Sequence, residues 1–163
     1  MGDLWEEVVQ PAPGQGQLTL ALGLMAVCVA IHTAGVTGAL GWLRRRTPPA
    51  PRLWPGTCLL IGLAAWIILL HLGEIITWGL CYAWTGAIQG VQTAVYFSAV
   101  TYTTTGYGDL TLPAAWRLVG AVEALTGILM CGLSTGFFFA VLSRLSQAPE
   151  PIAQTSQSAS EPS

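Results

Sequence analysis

The chain has 163 residues, of which 53% are hydrophobic and 9% are charged, and its formal net charge at pH 7 is −2. A soluble domain carries about a quarter charged residues, so this composition indicates a membrane protein. All the basic residues are arginines, and the slightly acidic balance gives no reason to expect a nucleic-acid partner.

The first predicted element is a transmembrane helix over residues 18–42. It holds no arginine or acidic residue, and at about 1.5 Å per residue it exceeds the roughly 30 Å of bilayer hydrocarbon. Acidic residues precede it rather than the basic residues of a signal peptide, so we expect the helix to be retained. It lacks the arginine ladder of a voltage sensor. We expect this helix to pack at the periphery of the other membrane helices, with a lever that moves them as the alternative.

A linker and a second helix follow. Residues 43–56 contain four arginines and several prolines, which cannot continue a helix and predict a short stiff linker. Residues 57–80 are apolar except for polar positions such as His71 and Glu74, and they predict a second transmembrane helix.

The next apolar run, residues 91–103, is too short to cross a bilayer. The polar stretch TTGYGD follows at 104–109, and residues 115–142 then predict a third transmembrane helix. The tail, residues 147–163, is rich in Ser, Gln, Pro and Ala without apolar periodicity, so we expect it to be disordered.

The arginines predict how the chain is oriented. Short loops rich in arginine stay in the cytoplasm, and this places the linker 43–56 and the end of the third helix, with Arg144, inside. The N-terminal segment 1–17 is then extracellular, the C-terminus is cytoplasmic, and residues 91–109 dip into the membrane from outside. We expect the protein to lie in the plasma (inner) membrane.

The stretch 104–109 has a composition suited to binding a cation. Non-helical backbone at membrane depth is tolerated only if it is buried in protein or lines a watery path. Carbonyl oxygens turned to one side would replace the water around a hard cation. Gly106 and Gly108 permit the backbone angles that such an arrangement needs.

This stretch resembles the selectivity filter of the tetrameric potassium channels, TVGYGD, with Thr105 at the usual valine position. The resemblance runs from Tyr96 to about Phe138 and, with the second helix, covers about half the chain. It implies an all-α membrane protein with three transmembrane helices, a re-entrant pore helix and a filter, assembled as a homotetramer. It departs from some relatives at Val100, where they keep a carboxylate that braces the filter aspartate.

The resemblance also implies roles for individual residues. The ring of Tyr107 would pack on Tyr96 or Phe97 and hold the width of the filter. Asp109 would lie at the pore mouth, anchored by hydrogen bonds, and attract cations. K⁺ would bind the backbone carbonyls of Thr104, Thr105, Gly106 and Tyr107, together with the hydroxyl of Thr104. Gly108 would close the outer turn.

Two acids and several glycines in the helices need a reason. One or both of Glu74 and Glu123 are predicted to brace the filter from behind, where a proton shared between them would make conduction sensitive to pH. The alternative is that each is a protonated or hydrogen-bonded packing residue without a regulatory part. His71 joins that cluster or lies at the lipid interface.

Gly127 aligns with the hinge of the family or serves close packing, which suits Gly132 and Gly136 equally. By the same alignment the cavity is lined by Ile128, Cys131 and Thr135.

Other functions remain as alternatives. A non-selective cation channel and a non-conducting membrane scaffold are the rivals to a potassium channel, while a transporter with channel-like loops would join four of them in one long chain. We expect no cofactor beyond the permeant K⁺. An enzyme is not expected, because no nucleophile, base and orienting group occur together.

Overall fold

The computed structural model describes residues 14–45 and 53–146. Most of the predicted extracellular segment 1–17, the middle of the predicted linker and the whole predicted disordered tail 147–163 lie outside the described residues. The elements, in chain order, are α1 (Gln15–Arg45), α2 (Leu53–Trp84), α3 (Val91–Tyr102), a 3₁₀ turn (Ala114–Trp116) and α4 (Arg117–Ser146).

The fold is an all-α membrane architecture, as the sequence predicted. Three helical segments are long and apolar enough to cross a membrane, and they cover residues 15–45, 56–84 and 114–143. The helix α3 is 12 residues long, which is about 18 Å at 1.5 Å per residue and therefore too short to cross. It forms the re-entrant element between α2 and α4.

The spanning helices do not end where the predicted apolar runs end. The helix α1 starts at Gln15 rather than at residue 18 and continues through Arg45, and α2 starts at Leu53 and continues to Trp84. Hydropathy marks only the part of a helix that lies in hydrocarbon, whereas the helix itself continues into the polar interface. The third span was predicted to begin at residue 115, but residues 114–116 form the 3₁₀ turn. The helix α4 begins after this turn and extends to Ser146.

Two glycines allow α3 to lie close to both of its neighbours. A Cβ atom built at Gly79 of α2 would lie 2.7 Å from the Cα atom of Val95, and one built at Gly127 of α4 would lie 1.9 Å from the carbonyl oxygen of Tyr102. Neither contact would be tolerated by a side chain. Close packing is therefore a sufficient reason for Gly127 to be glycine, while its role as a hinge stays a prediction.

The other two glycines of α4 differ. Within the described residues, no atom from another part of the chain lies within 4 Å of a Cβ built at Gly132 or Gly136. Close packing inside one chain, the reason suggested for them from sequence, is therefore not found.

Aromatic side chains fill the space between α2, α3 and the start of α4. Trp78 and Tyr82 are fully buried, and Phe97 and Tyr102 nearly so. The ring of Tyr82 meets Phe97 edge-on, with 5.5 Å between the ring centroids. The helix α1 packs on this unit and buries three side chains, Ala21, Cys28 and His32.

We expect Gly127→Ala to destabilise the folded protein by about 1–3 kcal/mol, because the new methyl group must displace the end of α3. Thermal unfolding in detergent measures this. The control is Gly73→Ala in α2, where the described residues leave the added Cβ free of contacts. If both variants unfold at the same temperature, the close approach of α4 to Tyr102 is not a constraint.

Candidate functional site: the glycine loop and its supports

Residues 103–109, which we call the glycine loop, turn their first amide groups back toward the end of α3. The N–H of Thr104 donates to the carbonyl of Thr101 at 2.9 Å, and the N–H groups of Thr105 and Gly106 donate to the carbonyl of Val100 at 3.0 and 3.2 Å. In the described part of the chain, no backbone N–H donates to the carbonyl oxygens of residues 104–107. The amides at the start of the loop are thus satisfied by α3, and the carbonyl oxygens of residues 104–107 are left available.

The backbone angles of the loop produce this division. The φ angles of Thr104, Gly106 and Gly108 are 59°, 54° and 77°, whereas those of Thr105 and Tyr107 are not positive. Alternation between left-handed and right-handed conformations gathers successive N–H groups on one side of the chain and turns the carbonyls to the other. A threonine in the left-handed region is uncommon. Such strain persists only where the surroundings impose it, as at ligand-binding sites.

Threonine hydroxyls fasten the start of the loop. The hydroxyl of Thr103 donates to the carbonyl of Ala99 at 2.7 Å and lies 2.9 Å from the hydroxyl of Thr105. These bonds hold the Thr105 side chain against the end of α3. Since the N–H groups of Thr105 and Gly106 also bond to α3, the orientation of the Thr105 carbonyl is constrained as well.

Asp109 is held by α3. The hydroxyl of Tyr96 donates to Oδ2 of Asp109 at 2.9 Å, and this bond to a carboxylate raises the pKa of Tyr96. The sequence lacks a bracing carboxylate at Val100, and the structure provides a tyrosine one turn earlier instead. The residue that holds Asp109 is therefore Tyr96, which the resemblance implied as a packing partner for the ring of Tyr107.

Tyr107 does not pack as predicted within one chain. It is 72% exposed, and the ring contacts among the described residues do not include it, whereas Phe97 packs on Tyr82. A single chain therefore leaves this ring without the support that the resemblance implies.

Glu123 lies behind the middle of α3. The hydroxyl of Tyr82 donates to its Oε2 at 2.8 Å, and its Oε1 lies 2.5 Å from Oγ of Ser98, which also lies 2.8 Å from the carbonyl oxygen of Ile75. A serine hydroxyl has one hydrogen, and it cannot donate to both oxygens. All three bonds form together when Glu123 is protonated and donates to Ser98, which donates to Ile75.

Glu74 contacts α3 at Tyr102, which is one turn further along that helix than Ser98, the partner of Glu123. The hydroxyl of Tyr102 donates to Oε2 of Glu74, and Nδ1 of His32 lies 2.9 Å from Oε1. His71 joins this cluster, with Nδ1 3.1 Å from the Tyr102 hydroxyl. The prediction that Glu74 and Glu123 share a proton is wrong, because each has its own partners at a different level of α3.

The predicted cavity residues lie along one side of α4. Ile128, Cys131 and Thr135 are exposed in the single chain, and the hydroxyl of Thr135 donates back to the carbonyl of Cys131 at 2.9 Å. Their positions agree with an open surface on α4, and their role as cavity lining stays a prediction.

Sequence reasoning passed over several of the supporting residues. The buried histidine of α1 and four hydroxyl residues were not assigned to the site, although polar groups at lipid depth are the signal that would have found them. These residues are His32, Tyr82, Ser98, Tyr102 and Ser134.

Comparison with protein families gives one match, in which residues 70–144 fit the family model described as "Ion channel". The match covers α2 from its middle, α3, the glycine loop and most of α4. Comparison with curated proteins gives no match, and comparison with solved structures gives none. Residues 70–144 are therefore similar to an ion-channel pore, and the three helices that are long and apolar enough to cross a membrane indicate an integral membrane protein.

We expect Glu123→Gln to be at least as stable as the wild type at pH 7, because the amide donates to Ser98 and accepts from Tyr82 as the protonated acid does. Glu123→Ala leaves the buried Tyr82 hydroxyl without its acceptor, at a cost of about 1–3 kcal/mol, while Ser98 keeps its bond to Ile75. Thermal unfolding of both variants tests this. A glutamine variant as unstable as the alanine variant would show that the acid is ionised.

Proposed function

We propose that four copies of this chain form a potassium-selective channel, with the four glycine loops meeting on a common axis. The observation that carries this proposal is the division within the loop, where amide N–H groups bond to α3 and carbonyl oxygens of residues 104–107 have no backbone donor among the described residues. Oxygens held in this way replace the hydration shell of a cation.

Potassium is favoured over other cations by the residues of the loop. The ligands would be the carbonyls of Thr104, Thr105, Gly106 and Tyr107 together with the hydroxyl of Thr104, as the resemblance to TVGYGD filters implies. The C-terminal end of α3 adds partial negative charge on the inner side. Asp109, held by Tyr96, adds negative charge at the outer mouth.

The homotetramer is part of the same proposal. One loop supplies one column of oxygens, and a ring around an ion needs several columns. Tyr107 supports assembly too, since 72% of the residue is exposed in one chain and a neighbouring copy offers its α3 as a packing surface. The proposed orientation places the N-terminus outside and the C-terminus in the cytoplasm of the plasma (inner) membrane.

Conduction would be passive and without an intrinsic voltage sensor. An ion enters from the cavity lined by Ile128, Cys131 and Thr135, exchanges water for loop oxygens, and leaves past Asp109. Gly127 would permit α4 to bend and open the inner end, provided that its contact with Tyr102 is kept.

Purified protein in liposomes should take up rubidium through a barium-sensitive path. Gly106→Val should reduce this uptake more than tenfold, because a β-branched residue is strongly disfavoured at the positive φ of this position. Gly73→Val, in α2, is the matched control and should keep the uptake. A folded tetramer that takes up no rubidium would support a scaffold, and equal sodium and rubidium uptake would support a non-selective channel.

Tyr96→Phe should weaken selectivity, because Asp109 loses its donor. Because this hydrogen bond is exposed, water screens it, and we expect the potassium-to-sodium permeability ratio to fall by at most about tenfold. Bi-ionic reversal potentials measure the ratio, with Trp84→Phe as a control at another exposed aromatic. An unchanged ratio in Tyr96→Phe would remove Tyr96 from the site.

A further inference from the structure

Five buried or partly buried side chains from all four helices form a closed ring of hydrogen bonds. From Glu74 the ring passes to Tyr102, whose hydroxyl donates to Oε2, and on to Nδ1 of His71 at 3.1 Å. Nε2 of His71 lies 3.0 Å from Oγ of Ser134, which lies 3.2 Å from Nε2 of His32. Nδ1 of His32 closes the ring on Oε1 of Glu74 at 2.9 Å.

Counting hydrogens shows what this ring needs. Five bonds require five hydrogens, one between each pair of neighbours. The tyrosine, the serine and two neutral histidines supply one each, which makes four, and an ionised glutamate supplies none. The ring is complete only with one added proton, shared between Glu74 and His32. The count is the same whichever way round the ring the donors point, so it does not depend on the tautomer of either histidine.

We propose that this ring holds one proton in the folded protein, and that His32 of α1 thereby positions Tyr102 at the base of the glycine loop. With that proton the ring is electrically neutral, as its burial requires, since Glu74 and His32 are fully buried. Losing the proton would leave a buried negative charge and an unmade bond. A second proton would create a positive charge and set two donors against each other.

The link to the loop runs through Tyr102, the last residue of α3. Its hydroxyl is held in the ring, while its carbonyl packs against Gly127. The adjacent Thr101 carbonyl accepts the N–H of Thr104, the first residue of the loop with a positive φ. The helix α1 thus acts on the glycine loop through one side chain, beyond peripheral packing.

Other titratable groups near the ring do not take its proton. The thiols of Cys28 on α1 and Cys131 on α4 interact electrostatically with Tyr102, and thiols are neutral around pH 7. Glu123 on α4 is engaged by Tyr82 and Ser98.

A bound cation is the competing reading of this cluster. The two histidines and Glu74 have ligand atoms that lie within 4.8 Å of one another, which meets the ligand number of many divalent sites. Each of these atoms already has a protein partner, so an ion would break bonds of the ring and add charge to a buried place. The ring is complete with a proton alone.

The proton predicts how stability depends on pH. In the unfolded chain Glu74 gives up its proton above about pH 4.3, whereas the folded ring retains one. Measured relative to Glu74→Gln, so that the two histidines contribute equally to both proteins, the stability from this proton is greatest below about pH 4.3 and is lost as pH rises. Glu74→Gln supplies the fifth hydrogen from its amide, so the variant ring is complete without a titrating proton.

The first test compares apparent thermal stability of wild type and Glu74→Gln from pH 5.5 to 8.5. The unfolding constant of the wild type should rise relative to that of the variant by about tenfold per pH unit. Thr33→Val, at an exposed position beside His32, should follow the wild type. Parallel profiles for wild type and Glu74→Gln would overturn the proposal, and so would stabilisation of the wild type by added Zn²⁺ that Glu74→Gln abolishes.

The second test needs no variant. The chain has two histidines and both lie in the ring, so ¹⁵N-histidine NMR of the untagged protein reports on nothing else. The signals at pH 7 should show a hydrogen bond at each of the four imidazole nitrogens, and a nitrogen of either histidine without one would overturn the proposal. Both tests read folding and imidazole state rather than ion flux, so they stand or fall separately from the proposed channel.

Discussion

The structure depends on how backbone polar groups are satisfied at membrane depth. Between α3 and α4 the chain is not helical, and every unpaired amide there costs several kcal/mol in hydrocarbon. The first part of the glycine loop meets this constraint by bonding the amides of residues 103–106 to the last carbonyls of α3. The carbonyls of residues 104–107 have no backbone donor among the described residues, and positive φ angles alternate along this stretch.

Such a loop is only as well placed as α3. Two glycines, at positions 79 and 127, let α2 and α4 approach its backbone closely. Two buried acids then fix it at separate levels, Glu123 at its middle through Ser98 and Glu74 at its end through Tyr102. In both clusters the hydrogen count requires a bound proton, so α3 is held by polar contacts without a net buried charge.

The sequence predicted the helices, the re-entrant segment and the residues of the loop, because hydropathy, length and the run of glycines are local signals. It did not predict which faces meet. Nothing local indicates that His32 of α1 reaches Glu74, or that Tyr96 replaces the missing carboxylate at position 100 as the partner of Asp109. Nor does any local signal show that Glu74 bonds to Tyr102 while Glu123 bonds to Ser98. The packing partner of Tyr107 was not predicted correctly for the single chain, in which this residue is 72% exposed.

The central claim is that loop oxygens from four chains replace the hydration shell of potassium. Single-channel recording of the reconstituted protein, with potassium on one side of the membrane and sodium on the other, tests it most directly. The account predicts unitary currents carried by potassium, with a reversal potential far from zero and displaced in the direction that stops potassium flow. A reversal potential near zero at equal concentrations, or a folded tetramer without unitary currents, would contradict it.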